Sequence, residues 1–591
     1  MSEKNEMLEA VVIGSGFGGA VSCCRLAQKW QDKVLLLERG KRYPMGSFPR
    51  TPHAMADNFW SPSGDQAKRP KNLRERNLRG MFDIRNFTRM DALVCAGLGG
   101  GSLIYANVFL EPPEKVFECG WPKSINKTSL QPYYEIARSV LGARPIPSWE
   151  HEPRRKIVRT ELFQAFAKDQ NRTSTLADIC VFFGNNFQKA TDIGIQETNR
   201  YGATQTSCTY CAECDVGCNT HSKNTVDLNY LHVAEHVHKA RIETESVAEK
   251  IIPLNAQGKE DTMAQGEFGY RVYYRHLDRG ETSVDTQRVV VSAGTLGSNE
   301  LLLRCRDVYG SLPRLSQRLG KRFSGNGDFL SFVVEGQKPA DPNYGPVITQ
   351  YTDYNLFKDH DPNRAFILED ASYPNFAAWF IEGMQPGLNP LDSLKKVFNM
   401  VFSLWRRLVQ TVFGGKWTGS LGDLFHQMLK GDMSYRSVVL LCMGLDKGDG
   451  VLTLRDGHLD LDWPQKSSMP LYDAILDSGQ QFKAFVESHC FFPLPTWLWP
   501  FRNNITVHSL GGCILADSPE QGVVSSHDHE RGQVFGYQGL YVADGSVLPT
   551  AVGANPIATI SAVSEWIAEG ITGAKHSDDL AASTTHSGAS K

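Results

Sequence analysis

Three sets of residues in this 591-residue chain have types and spacings that suit chemistry. Gly14, Gly16 and Gly19, within VVIGSGFGGA, spell G-x-G-x-x-G. In that pattern the first glycine permits a tight turn, the second lets backbone approach a pyrophosphate, and the third lets a helix pack closely on a strand. Near the other end, His508 opens HSLGGC and Asn555 precedes Pro556 in GANP. A neutral histidine, with a resting pKa of about 6.5, suits removal of a hydroxyl proton while hydride leaves the carbon, and such help is worth roughly 100 to 10,000-fold in rate. The proline holds Asn555 extended, where its amide can fix an oxygen. Cys208, Cys211, Cys214 and Cys218 form C-x2-C-x2-C-x3-C, a spacing able to fold around an iron–sulfur cluster, although Asn219 stands where ferredoxins usually have proline. Structural zinc on four thiolates and a plain set of reduced core cysteines are the alternatives.

The elements that must position these residues are legible from periodicity. Leu8 to Ile13 is a short valine-rich run suited to a strand buried on both faces of a parallel sheet. Ala20 to Lys29 is helix-compatible, and Val34 to Glu38 reads as a second buried strand. Glu38 lies 24 residues after Gly14, near the offset of about 20 expected of a carboxylate on a ribose hydroxyl. RVVVSAGTLGSNELLL (Arg288 to Leu303) reads as a strand, a small-residue turn and a helix returning to the same sheet. Gly97 to Pro113 holds a second glycine cluster whose bare backbone can approach a flat ring system. The glycine motif alone does not choose between a flavin and a nicotinamide dinucleotide.

In their order along the chain, GSGFGG, GLGGGSLIYAN, SAGTLGSNELL, HSLGGC, LYVADGSVLP and GANPIATI resemble segments of the glucose–methanol–choline (GMC) flavoprotein oxidoreductases, and within them the cholesterol-oxidase-like branch, over nearly the whole length. The resemblance implies an α/β fold: a Rossmann-like FAD-binding domain with a parallel sheet, and a mixed-sheet α+β substrate-binding domain. It implies FAD held by Gly14, Gly16, Phe17, Gly18, Gly19, Glu38, Gly97, Gly100, Gly101, Ser102, Asn107, Asp544, Gly545, Asn555 and Pro556. His508 would stand beside the flavin N5 as base, and Asn555 would hold the substrate oxygen. The string AFILEDASYP is similar to the family region carrying a glutamate that serves steroid isomerisation, which points to Glu369, with Asp370 as rival and a solvated strand-end carboxylate as the plain alternative. The implied reaction is oxidation of a hydrophobic alcohol (sterol, terpenoid or long-chain) to its carbonyl. Electrons would pass through an iron–sulfur cluster to a protein or quinone acceptor, or directly to O2. A lyase on the same scaffold and a non-catalytic flavin electron carrier are the alternatives from other classes.

Length and composition set the bounds. A chain of 591 residues exceeds the size of about 250 to 300 at which one core stops growing, so two domains are expected. The FAD domain is read from about residues 1–120, 240–330 and 500–575, the substrate domain from 121–239 and 331–499, and the polar tail 576–591 as disordered. With 41% apolar and 21% charged residues and a net charge of −3, nothing marks a nucleic-acid partner. The polar, acidic start lacks the features of a secretory signal, so the expected location is cytoplasmic, with peripheral contact to the inner face of the membrane as a further expectation. That expectation comes from Pro390 to Phe413. There Leu391, Leu394, Phe398, Val401, Trp405, Leu408 and Val412 share one helical stripe, with Lys395, Lys396, Arg406 and Arg407 at its edges. A core helix is one reading of this insert, and a substrate lid or shallow membrane dock the other. His232, His236 and His238 are expected on a solvated helix face.

Overall fold

A computed structural model of the chain describes residues 7–61, 77–149, 156–186, 193–383, 390–414, 432–498 and 502–582. The strand Ala10–Ile13 pairs in parallel with Val34–Leu37 on one side and Val289–Val291 on the other. Arg241–Glu243 and Leu540–Val542 complete a five-stranded, wholly parallel sheet. Every residue of the three central strands is buried, as unbroken valine and leucine runs require when helices cover both faces. The helix Phe17–Trp30 joins the first two strands and packs on the helices Ile557–Thr572 and Tyr230–His236. Close approach explains its glycines. Gly14 has φ +98°, and a Cβ there would stand 2.3 Å from the Ser292 carbonyl oxygen; a Cβ at Gly18 would stand 1.8 Å from that of Ala543.

The second layer is a six-stranded sheet in the order Cys490–Pro493, Phe329–Val334, Val438–Gly444, Phe366–Ala371, Gln350–Tyr354 and Ser174–Leu176, with antiparallel pairing throughout. The helices Val158–Asp169 and Met469–Phe485 close one face through Phe163, Phe166 and Phe482, which pack with Phe329, Leu368 and Leu440. Lys321–Ser324 pairs with Leu510–Gly512, joining this half of the chain to the segment that carries His508.

Two parts of the chain sit elsewhere than the sequence suggests. The helices Lys127–Leu141 and Tyr230–His236, read with the substrate domain, contribute Leu130, Tyr134, Tyr230 and Leu231 to the core of the parallel-sheet half. Of the tail read as disordered, residues 576–582 are ordered: Leu580 is fully buried, and its carbonyl accepts from Gln28 Nε2 (2.9 Å) and from the imidazole Nε2 of His238 (2.7 Å). His238 is therefore buried rather than solvated. Residues 583–591 lie outside the described residues.

The docked tail completes a buried ionic knot. Arg25 donates to both oxygens of Glu565 (Nε 2.8 Å to Oε2, Nη2 2.8 Å to Oε1), which also accept from Tyr230 Oη and His576 Nδ1, each at 2.8 Å. Burial pushes the Glu565 carboxyl up, but Arg25 and His576 outweigh it and bring it down to about 2 from the ordinary 4.5. A depressed carboxyl contributes its stability in full above about pH 4.5 and loses it as pH falls toward 2. Arg25→Ala, which leaves the buried carboxylate facing only Tyr230 and His576, is expected to cost about 3–5 kcal/mol in urea unfolding at pH 7. The gap to the parent chain should narrow as pH falls from about 4.5 toward 2, because the parent then loses the stability that its depressed carboxyl contributes. A pH-independent difference would show that lost packing, not charge, dominates.

Candidate active site

The two ends of the chain meet at the C-terminal edge of the parallel sheet, where doubly wound folds bind ligands. Gly16 stands at the N-terminus of its helix, with no side chain capping it, and a Cβ there would meet nothing within 4 Å. Gly14, Phe17, Gly18 and Gly19 complete that turn. Gly100 leans over it so closely that a Cβ would stand 2.6 Å from the Cα of Gly16. Gly101 opens on free space, and Gly97 begins the same loop. Ser102 fastens the loop, donating to the Gly99 carbonyl (2.7 Å) and accepting from the Val226 N–H (3.1 Å). Asn107 is fully buried at φ +73°, and among the described residues neither atom of its amide has a hydrogen-bond partner. Asp544 is locked by Ser298 and Ser546, which sets Gly545 in a short turn under the sheet. Pro556 leads into the helix Ile557–Thr572, whose first turn also lacks a side-chain cap. Open helix starts and bare glycines fit a dinucleotide.

Glu38 does more than the expected ribose contact requires. Its carboxylate accepts from the Ser15 N–H (3.1 Å), the Ser15 hydroxyl (2.5 Å) and the Gly40 N–H (2.8 Å), so it braces the turn that it follows. Burial pushes its carboxyl up, and the Ser15 and Gly40 bonds oppose that.

At the reacting end, His508 lies just before the strand Leu510–Gly512. Its imidazole Nδ1–H donates to Asp328 Oδ1 at 2.7 Å, which leaves Nε2 as the basic nitrogen. Asp328 is 4% exposed at its side chain, and its Oδ2 accepts from the Thr506 hydroxyl (3.0 Å) and the Val507 N–H (2.9 Å). The same loop holds the other segment. Asn326, at φ +54°, donates from Nδ2 to the Ala554 carbonyl (2.8 Å) and accepts from the N–H groups of Val552 and Gly553 at 2.9 and 3.0 Å. Asp446 folds this loop by accepting from the Ser324 hydroxyl and the N–H groups of Gly325, Gly327 and Gly448 at 2.7–3.0 Å. Sequence reading passed over Asp328, Asn326 and Asp446. The only local signal was SGNGD, a turn-forming string of glycine, asparagine and aspartate.

Strand alternation separates Glu369 from Asp370. Asp370 points toward the helix Val158–Asp169, where it pairs with Arg159 (3.5 Å) and accepts from Thr349 and Gln350. Glu369 points the other way, fully buried, beside the Asn555 amide. Among the described residues neither Glu369 oxygen nor Asn555 Oδ1 has a hydrogen-bond partner. Burial pushes the Glu369 carboxyl well above the usual range; the Asn555 amide opposes this, while Asp370 and Asp328 add to it. Glu369 is thus a buried acid whose protonated form burial favours, not a solvated carboxylate.

Cys208, Cys211, Cys214 and Cys218 line one small cavity together with Lys223. Among the described residues no three histidine, cysteine or acidic side chains converge as ligands of a single ion. Zinc, which needs sulfurs about 2.3 Å from one centre, therefore does not fit these thiols as they stand. Lys223 is buried, and its ammonium donates to the carbonyls of Leu103 (2.8 Å), Tyr105 (3.1 Å) and Cys214. It thereby ties the cysteine loop to the loop of Gly97 to Asn107. Burial lowers the Lys223 pKa to about 8 against the pull of the cysteines and Asp215.

Residues 9–306 and 501–564 match two GMC oxidoreductase family models. A cholesterol oxidase from Acinetobacter baumannii is 26% identical over 605 aligned residues, covering 99% of this chain and 98% of that protein. A long-chain-alcohol oxidase from Arabidopsis thaliana is 21% identical over 569, covering 95% of this chain and 66% of that protein. The crystal structure of pyridoxine 4-oxidase from Mesorbium loti superposes with a TM-score of 0.58 at 12% identity over 96% of this chain and 100% of that one, a likeness of fold. The two family matches span more than half of the chain and include both the glycine turn and the His508–Asn555 segment, so the chain belongs to the GMC oxidoreductase family.

Proposed function

We propose that this chain oxidises a hydrophobic alcohol (a sterol, terpenoid or long-chain alcohol) to its carbonyl, with His508 as base. The observation that carries the reading is the Asp328–His508 bond, held in one loop with the segment that presents Asn555 to Glu369. FAD, which GMC oxidoreductases bind, would supply the hydride acceptor. Asp328 keeps Nδ1 protonated, so Nε2 is free to take the hydroxyl proton, and the carboxylate then stabilises the imidazolium that forms. When protonated, Glu369 can donate to Asn555 Oδ1 and leave the Asn555 Nδ2 protons for the substrate oxygen; when ionised, it would instead accept from that amide. The relatives named for cholesterol and long-chain alcohols support a hydrophobic substrate.

The cysteine cavity supports a second reading about where electrons go. The C-x2-C-x2-C-x3-C spacing is one that iron–sulfur clusters use, and Lys223 joins this cavity to the Gly97–Asn107 loop. An iron–sulfur cluster there would favour a dehydrogenase serving a protein or quinone acceptor; direct transfer from the flavin to O2 is the alternative.

His508→Gln is expected to slow anaerobic flavin reduction by alcohol at least about 100-fold with FAD still bound, and Asp328→Asn at least about tenfold. Bleaching at the parent rate in His508→Gln would remove this residue from the chemistry. Glu369→Gln should keep alcohol oxidation within about tenfold yet abolish double-bond migration in a β,γ-unsaturated steroid ketone; migration that survives places the isomerising base elsewhere. Protein purified without oxygen should contain iron and acid-labile sulfide, both lost in Cys214→Ser. A flavin-only spectrum, with peroxide formed for each alcohol consumed, would select direct transfer to O2.

A further inference from the structure

The helix Pro390–Val412 leaves bare what other helices bury. Leu391, Leu394, Phe398, Val401, Trp405, Leu408 and Val412 are each between 53 and 71% exposed. Val397 and Phe402 are exposed with them. At about 100° per residue these positions fall within an arc of about 140° that runs the length of the helix. Phe398 stacks on Phe402 with ring centroids 6.3 Å apart, and Phe402 packs on Trp405 at 5.9 Å, so the rings order one another along the surface. None of these side chains joins a described hydrophobic core. Nine large apolar side chains in one stripe exceed the roughly 300–600 Å² of the largest patch on a typical monomer. The core-helix reading of this insert does not hold.

Charge and length indicate what covers the stripe. The segment from Pro390 to Phe413 has Lys395, Lys396, Arg406 and Arg407 against the single acid Asp392, in a chain whose total charge is −3. Lys395 and Arg406 are exposed and follow the apolar arc along one edge; the side chains of Lys396 and Arg407 lie outside the described residues. A second copy of this helix would bring only Asp392 to meet Lys395 and Arg406 at the edge of the stripe, whereas anionic headgroups answer both. Among the described residues no helix is long and apolar enough to cross a bilayer. A helix about 35 Å long with one apolar face, tryptophan and phenylalanine on it and basic residues at its edge lies instead along the headgroup boundary. We propose that Pro390–Val412 docks this protein in the plane of an anionic phospholipid membrane. This excursion of the chain starts where the strand carrying Glu369 ends, at Ala371, and passes through the helix Asn375–Gly383, whose Trp379 is 69% exposed. Docking does not rest on the proposed reaction, but it would place a water-insoluble alcohol next to the half of the chain that must receive it.

Full-length, FAD-loaded protein can be sedimented with vesicles of phosphatidylcholine containing about 30 mol % phosphatidylserine, and with phosphatidylcholine alone. The parent chain should bind the mixed vesicles more tightly, less so at high salt. The double substitution Phe398→Asp/Trp405→Asp should reduce partitioning at least about tenfold, and Lys395→Glu/Arg406→Glu should remove the preference for the anionic lipid. Unchanged FAD content and thermal unfolding would show that both variants are folded, without reference to activity. The proposal is overturned if the parent chain fails to bind, if Phe398→Asp/Trp405→Asp binds as well as the parent, or if the parent is a dimer that this substitution makes monomeric with no change in vesicle binding.

Discussion

The reacting end of this protein depends on one buried carboxylate folding five residues of backbone. Asp446 gathers the Ser324 hydroxyl and the N–H groups of Gly325 and Gly327, groups that a tight turn would otherwise bury unpaired. The turn so formed reaches in two directions. Asp328 grips an imidazole 180 residues away, and Asn326 grips the backbone of a segment 228 residues away. His508 and Asn555 are far apart in sequence and belong to different local structures, yet their relative position is set by this single loop. Burial raises the Asp446 carboxyl to about 6 even though four donors oppose that, a measure of how dry the turn is.

Three acids crowd one region of the site, and each meets the cost of burial differently. Asp370 is paired with Arg159 and accepts from two backbone N–H groups. Asp328 is matched to His508, Thr506 and Val507. Glu369 has neither a cation nor a donor of good geometry among the described residues, so burial drives its carboxyl toward the protonated form. The alternating strand that carries Glu369 and Asp370 as neighbours sends them to opposite faces, one to stiffen the sheet and one to line the site.

Much of the frame could be read from the sequence because it rests on short-range pattern. Buried parallel strands are continuous apolar runs, so Val11 to Ile13 and Val34 to Leu37 were visible, as was the helix that follows Gly16. The amphipathic period of Pro390 to Val412 was equally plain, although periodicity alone did not say whether its apolar face was covered. What escaped were bonds between distant polar residues in turns. Nothing local distinguishes the Asp of SGNGD from any loop aspartate, and nothing in the polar tail announces that Leu580 fills a slot closed by Gln28 and His238. Glu38 was placed by its offset from Gly14, but that offset carries no hint that it would brace Ser15.

These levels join at the surface of the substrate half. An antiparallel sheet needs only one apolar face against its own helices, which leaves the other free to line a site and its edges free to carry insertions. Here the face toward Phe163 and Phe482 is packed in that way, and the opposite face carries Glu369. The chain leaving that strand packs Tyr373 and Ile381 against the sheet. It spends two helices at the surface with tryptophan and phenylalanine outward, at positions where an ordinary soluble protein would place lysine or glutamate. Such exposure costs solubility and adds nothing to folding, so its physical rationale must lie in what the protein touches. A nonpolar phase beside the site would supply both the missing cover for the helix and a source of substrate that water cannot carry.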